Sequence, residues 1–176
     1  MAVSETIHRR LVAAAQEAAV IYLKGPRGLG RRAVALTVCR RMERDLMIVD
    51  LRGLMASKLS LDTALALVGR QARLSGDILF WDRLKALSDD PMARGMWLRA
   101  VKSHGRAAFV AGEEGWVGLA LRPHLSVVEV PLSVPNYEMR KILWKRHLDS
   151  GYPLGSDVEP AALANRFRFG EGQMAR

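Results

Sequence analysis

The residues with the clearest chemistry lie between positions 25 and 32. Gly25-Pro26-Arg27-Gly28-Leu29-Gly30-Arg31-Arg32 spaces three glycines among basic residues and ends in two arginines. Glycine accepts backbone angles that other residues resist, so such a loop can curl until several N–H groups point inward at one anion. Its flanks suit that use. Residues 19–23 form a short apolar, β-branched run that reads as a buried strand. Residues 31–44 carry Val34, Leu36, Val38 and Met42 with arginines between them, the pattern of an amphipathic helix. A helix starting at the loop brings its positive end to the same anion. Gly25, Pro26, Arg27, Gly28, Leu29, Gly30, Arg31 and Arg32 are therefore the candidate phosphate-binding residues. The alternative is a glycine-rich turn with no ligand.

The usual phosphate loop is Gly-x-x-x-x-Gly-Lys-[Ser/Thr]. Arg31 stands where the lysine would reach the β- and γ-phosphates; arginine keeps the charge but is longer and planar. Arg32 stands where a hydroxyl would ligate Mg²⁺. A guanidinium repels a cation, so magnesium-dependent hydrolysis is expected to suffer more than phosphate binding.

Three further residues carry candidate catalytic roles. Asp82 ends the apolar run 77–82, and an acid at the tip of a strand beside a phosphate loop is placed to hold the metal. It reads as a metal ligand, the alternative being a helix cap or turn aspartate. Glu113 follows the run 107–111 and is a candidate for orienting water near a γ-phosphate, or else an ordinary loop glutamate. Arg122, in Leu121-Arg122-Pro123-His124, is positioned to reach a neighbouring subunit's nucleotide, or else lies on the surface.

The elements that must position these residues alternate along the chain. Strands are expected at 19–23, 46–50, 77–82, 107–111 and 125–130, and helices at 31–44, 61–74 and 91–102. Continuous apolar strands alternating with helices define an α/β fold: a five-stranded parallel sheet covered on both faces, a three-layer αβα sandwich. Residues 1–18 are expected to form an N-terminal helix and 19–132 the α/β core. Beyond Pro135, Asn136 reads as the cap of a helix reaching about 147, and a second helix spans 159–169. Two helices with no third to bury them suggest that 133–176 is a partial, truncated helical subdomain.

Composition narrows the remaining choices. Of 176 residues, 49% are hydrophobic and 26% charged, which suits a folded domain with a core and excludes a disordered chain. The formal charge of +9 admits nucleic acid or a phosphate-rich ligand, or else solvated basic faces, since the charges are spread along the chain. Cys39 is the only cysteine and sits in an apolar helical pattern; it reads as core, and an internal disulfide is excluded. No run approaches the roughly 20 apolar residues of a membrane span. A cytoplasmic location with no membrane partner is expected.

Together these residues resemble the AAA+ ATPases, a group of P-loop NTPases, over about residues 15 to 170. Gly25-Pro26-Arg27-Gly28-Leu29-Gly30-Arg31 resembles that family's Gly-Pro-Pro-Gly-x-Gly-Lys loop, the Walker A motif. Ile78-Leu79-Phe80-Trp81-Asp82 resembles its Walker B strand, and Gly112-Glu113 falls where sensor 1 would be. Leu121-Arg122-Pro123 resembles the arginine-finger stretch, Asn136 to Arg140 the junction into the helical lid, and Ala162 to Phe167 the next lid helix. The resemblance implies an AAA+ ATPase-type domain binding ATP with Mg²⁺ in a homo- or hetero-oligomer, often a hexameric ring. It also implies a glutamate after the Walker B aspartate, where this chain has Arg83. With Arg31, Arg32 and Arg83 in place of lysine, hydroxyl and glutamate, both Walker motifs are degenerate and weak or impaired hydrolysis is expected. The alternative is a non-catalytic AAA+-like scaffold or partner-binding module; a DNA-associated AAA+ protein is a third reading.

Overall fold

The computed structural model describes residues 5–17, 19–113, 115, 117, 121, 123, 125–149 and 159–167. Five strands, β1 (Val20–Lys24), β2 (Leu46–Asp50), β3 (Ile78–Asp82), β4 (Ala108–Gly112) and β5 (Val127–Pro131), form one sheet in the order β2-β3-β4-β1-β5. Every pairing is parallel. The five expected strands are all present, each within two residues of its expected bounds.

Side chains alternate across the sheet as strand geometry requires. Val20, Tyr22, Leu79, Trp81, Ala108 and Val110 share one cluster with residues of α4 (Leu61–Ser75) and α5 (Pro91–His104). Ile21, Leu23, Ile78, Phe80, Phe109 and Ala111 join α1 (Glu5–Gln16) and α2 (Arg31–Arg41) on the other face. Both faces of the central strands are thus apolar, which is why they read as continuous hydrophobic runs rather than as alternation. Cys39 is fully buried in the second cluster, where burial, reinforced by the charge of Asp45, pushes its thiol pKa up to about 12. In the first cluster, Trp81 and Trp97 meet edge to face, with ring centroids 6.3 Å apart.

The helices begin and end on local signals. Ser60 Oγ accepts a hydrogen bond from the Thr63 backbone N–H, and Asp62 sits in the first turn of α4. Asp90 Oδ1 accepts from the N–H of Ala93, with Pro91 at the first helical position of α5. Two short elements were not expected from the sequence: α3 (Leu51–Met55) and a 3₁₀ turn (Leu84–Leu87). Each is too short to show helical periodicity. Asp50 Oδ1 starts α3 by accepting from the N–H groups of Arg52 and Gly53.

Beyond the sheet lie α6 (Tyr137–Asp149) and α7 (Pro160–Arg166). Asn136 Oδ1 accepts from the Met139 N–H at 2.9 Å and caps α6 as its sequence position suggests. Arg140 ties the two helices together, donating from Nε to the Ala164 carbonyl and from Nη1 to that of Pro135. Arg122 and residues 150–158 and 168–176 lie outside the described residues.

Removing the partner of Trp81 opens a large void between α5 and the sheet. Trp97→Ala is expected to lower unfolding free energy by about 3–5 kcal/mol, read from urea denaturation followed by circular dichroism.

Candidate functional site

The parallel register brings the loops after β1, β3 and β4 to one edge of the sheet, with β1 inside it between β4 and β5. The chain leaves β1 into the glycine loop under tight restraint. Gly25 N–H donates to the Gly112 carbonyl at 2.9 Å, and Leu132 N–H donates to the Lys24 carbonyl at 2.7 Å. A Cβ on Gly25 would lie 2.5 Å from the Leu132 carbonyl oxygen, so no other residue fits without moving the backbone. Gly28 and Gly30 take φ of 89° and 78°, and Gly30 leads into α2 with no side chain capping that helix. The loop therefore turns sharply into α2, whose first N–H groups have no side-chain cap.

The two arginines that follow have different environments. Arg31 is only 9% exposed, and its Nη1 donates to the Gly25 carbonyl at 2.9 Å, spanning the base of the loop. Arg32 points outward and pairs with the tip of β3: its Nη2 lies 2.6 Å from Asp82 Oδ2. The second Asp82 oxygen, Oδ1, accepts from the Arg83 backbone N–H at 2.8 Å. The carboxylate read as a metal ligand is thus engaged on both oxygens by the chain itself. Arg83 adopts a left-handed backbone, φ 61°, and its Nε reaches Asp50 Oδ2 at the adjacent tip of β2, 3.2 Å away.

Above these residues lies a cavity of about 490 Å³, lined by Arg27, Arg31, Asp82, Arg83, Leu84, Lys85, Ala111, Gly112 and Glu113. A second hollow of about 180 Å³ adjoins it, sharing Arg27, Arg31, Asp82 and Arg83 and adding Gly28, Gly30, Arg32 and Phe80. The larger volume is within the range of small-ligand sites. Arg27, Arg31, Arg32, Arg83 and Lys85 face only Asp82 and Glu113 in this lining, so its balance favours an anion. Of the residues that the sequence singles out, Arg27, Gly28, Gly30, Arg31, Arg32, Asp82 and Glu113 line these two hollows, whereas Gly25, Pro26 and Leu29 are not among the lining residues and Arg122 lies outside the described residues. Lys85 and Asp50 are not singled out by the sequence. Lys85 lies on the unexpected 3₁₀ turn, and Asp50 declares itself only through its helix cap and its partner Arg83.

Burial pushes the Asp82 carboxyl pKa up, but the hydrogen bond from Arg32, the Arg83 N–H and the charges of Arg32 and Arg31 outweigh it and hold the group below its usual value. A depressed carboxyl pKa contributes stability at neutral pH that is lost as pH falls below about 4, the unfolded value, and through the folded one.

An αβα sandwich of five parallel strands, with a glycine loop after the first and an acid at the tip of the third, is the P-loop AAA+ fold. A chain from a solved structure concerned with the self-assembly of katanin, an AAA+ ATPase, shares it with a TM-score of 0.72 and 18% sequence identity. The match covers 94% of this chain and 63% of that one, so this chain spans less than two thirds of the other's length. No protein-family model matches the chain, and no curated protein matches its sequence. Among the described residues, no helix is long and apolar enough to cross a membrane.

Replacing Asp82 by asparagine removes the charge that Arg32 and Arg31 favour. Asp82→Asn is expected to cost about 1–2 kcal/mol at pH 7, the worth of a charge-assisted hydrogen bond discounted for the half-exposed Arg32. It is also expected to flatten the loss of thermal stability below about pH 4, as melting curves across a pH series would record.

Proposed function

We propose that this chain is an ATP-binding AAA+-type domain with weak or impaired hydrolysis. The observation that carries the reading is the convergence of the 25–30 loop, buried Arg31, Asp82 and Glu113 on one cationic cavity. In this reading the triphosphate lies along the loop and the start of α2. Backbone N–H groups and the Arg31 guanidinium meet its oxygens, and Arg27 and Lys85 stand at the cavity wall.

The same residues support slow chemistry. Hydrolysis needs a group to polarise the attacking water, and a guanidinium accepts no proton. At the position of the family's glutamate, Arg83 turns toward Asp50 instead. Glu113 lines the cavity and is the candidate for orienting water there. The solved relative in fold comes from work on self-assembly, which supports an oligomeric working state for this chain as well. An arginine supplied in trans, the part suggested for Arg122, belongs to that oligomeric reading.

The scaffold reading has one observation in its favour: the bonds from Arg31 to Gly25 and from Arg32 to Asp82 close the loop from within the chain. Titration with a fluorescent ATP analogue separates the two. Saturable binding at or below millimolar nucleotide supports ATP binding; its absence favours the scaffold, and a salt-sensitive shift of duplex DNA would turn attention to nucleic acid.

A second test addresses the impaired chemistry. The combined Arg31→Lys, Arg32→Thr and Arg83→Glu variant is expected to raise phosphate release at least about tenfold over the parent chain, about 1.4 kcal/mol of barrier. No gain in a folded, nucleotide-binding variant would count against the roles given to these three positions.

A further inference from the structure

The AAA+ fold implies Mg²⁺ beside the triphosphate, and the residues present do not fit it. Magnesium requires near-octahedral oxygen ligands at about 2.0–2.1 Å. At the hydroxyl position stands Arg32, which offers only donors. The nearby acid, Asp82, is 8% exposed and already committed: Oδ2 to Arg32 Nη2 at 2.6 Å, Oδ1 to the Arg83 N–H at 2.8 Å. A divalent ion on Oδ2 would have to break the ion pair and leave the Arg32 guanidinium without its carboxylate. It would also put two positive charges among Arg27, Arg31, Arg32 and Arg83, which line the hollow around that oxygen. Among the described residues, no group of three or more His, Cys, Asp or Glu side chains offers a substitute metal site.

We propose that the Arg32 guanidinium is the site's built-in cation and that the chain takes its nucleoside triphosphate free of divalent metal. The inference rests on the ATP-binding reading above and adds the ionic form of the ligand. Arg32 is held on Asp82 at one nitrogen, while its side chain remains 56% exposed. It also lines the hollow beside Gly28 and Gly30, so its other guanidinium donors are available to phosphates lying along the loop. Asp82 acts in this arrangement as a positioning residue: it holds Arg32 in place and offsets part of its charge. Metal-free ATP carries two more negative charges than its magnesium complex, and the excess of arginine and lysine in the lining suits the more highly charged form.

The test measures ATP affinity of the full 176-residue chain by calorimetry at fixed ionic strength, once in EDTA and once in excess Mg²⁺. Affinity in EDTA is expected to equal or exceed that in Mg²⁺. Binding at least about tenfold tighter with Mg²⁺ would overturn the proposal while leaving the ATP-binding reading intact. Absence of binding in both buffers would overturn both.

Arg32→Thr supplies the missing hydroxyl and frees Asp82. In EDTA its affinity is expected to fall about tenfold, with Mg²⁺ restoring most of the loss; unchanged affinity in EDTA would sink the role given to Arg32. Manganese provides a readout that needs no variant. With saturating ATP, the spin signal of Mn²⁺ in the parent chain should match a protein-free ATP control, and one tightly held Mn²⁺ per chain would refute the idea.

Discussion

Asp50 and Asp82 stand opposite each other at the ends of neighbouring parallel strands, and two carboxylates so placed repel unless each is given a cation. Arginines meet that demand. Arg83 turns through a left-handed backbone to reach Asp50, and Arg32 crosses from the first turn of α2 to reach Asp82. The second bond links residues 50 apart and joins the glycine loop to the β3 tip. Both arginines line the hollows beside the loop, so these two ion pairs set part of the charge there. Arg32 and Arg83 thereby balance the two strand-tip acids.

The sheet makes that pairing geometrically available. With β1 placed between β4 and β5, and β3 beside β4, the loops that follow β1, β3 and β4 open on the same edge. The approach of Gly25 to the Leu132 carbonyl then fixes how the glycine loop leaves the sheet. Scarce aromatic residues are concentrated where they anchor this arrangement: Tyr22, Phe80, Trp81, Trp97 and Phe109 are all among the fully buried side chains. Apart from Cys39, the rest of both buried clusters is aliphatic, with small residues such as Ala35, Ala72 and Ala108 almost fully enclosed.

Much of this was legible in the sequence, and the reasons are local. The five strands announce themselves because strands covered on both faces must be apolar throughout, and glycine loops or proline mark several of their ends. Asn136 acts as a cap because its side chain bonds only three residues along. What escaped is non-local or very short. Helix α3 and the 3₁₀ turn offer one turn each, less than periodicity can resolve. The order of strands, the burial of Arg31 and the pairing of Arg32 with Asp82 depend on crossovers that place distant segments together. Composition at 31 and 32 announced a charge without announcing its partner. Arg122, singled out by its motif, lies outside the described residues, so its part rests on the sequence pattern.

Cys39 gives the molecule a property unrelated to nucleotide. It is the only thiol in the chain, sits in the last turn of α2, the helix that follows the glycine loop, and is wholly enclosed, with its proton held to about pH 12. Alkylating reagents need both access and a thiolate, so the native chain should react only during excursions that lift α2 from the sheet. The speed of that single reaction is therefore a native-state clock for the packing of α2 on the sheet, built in without any engineered label.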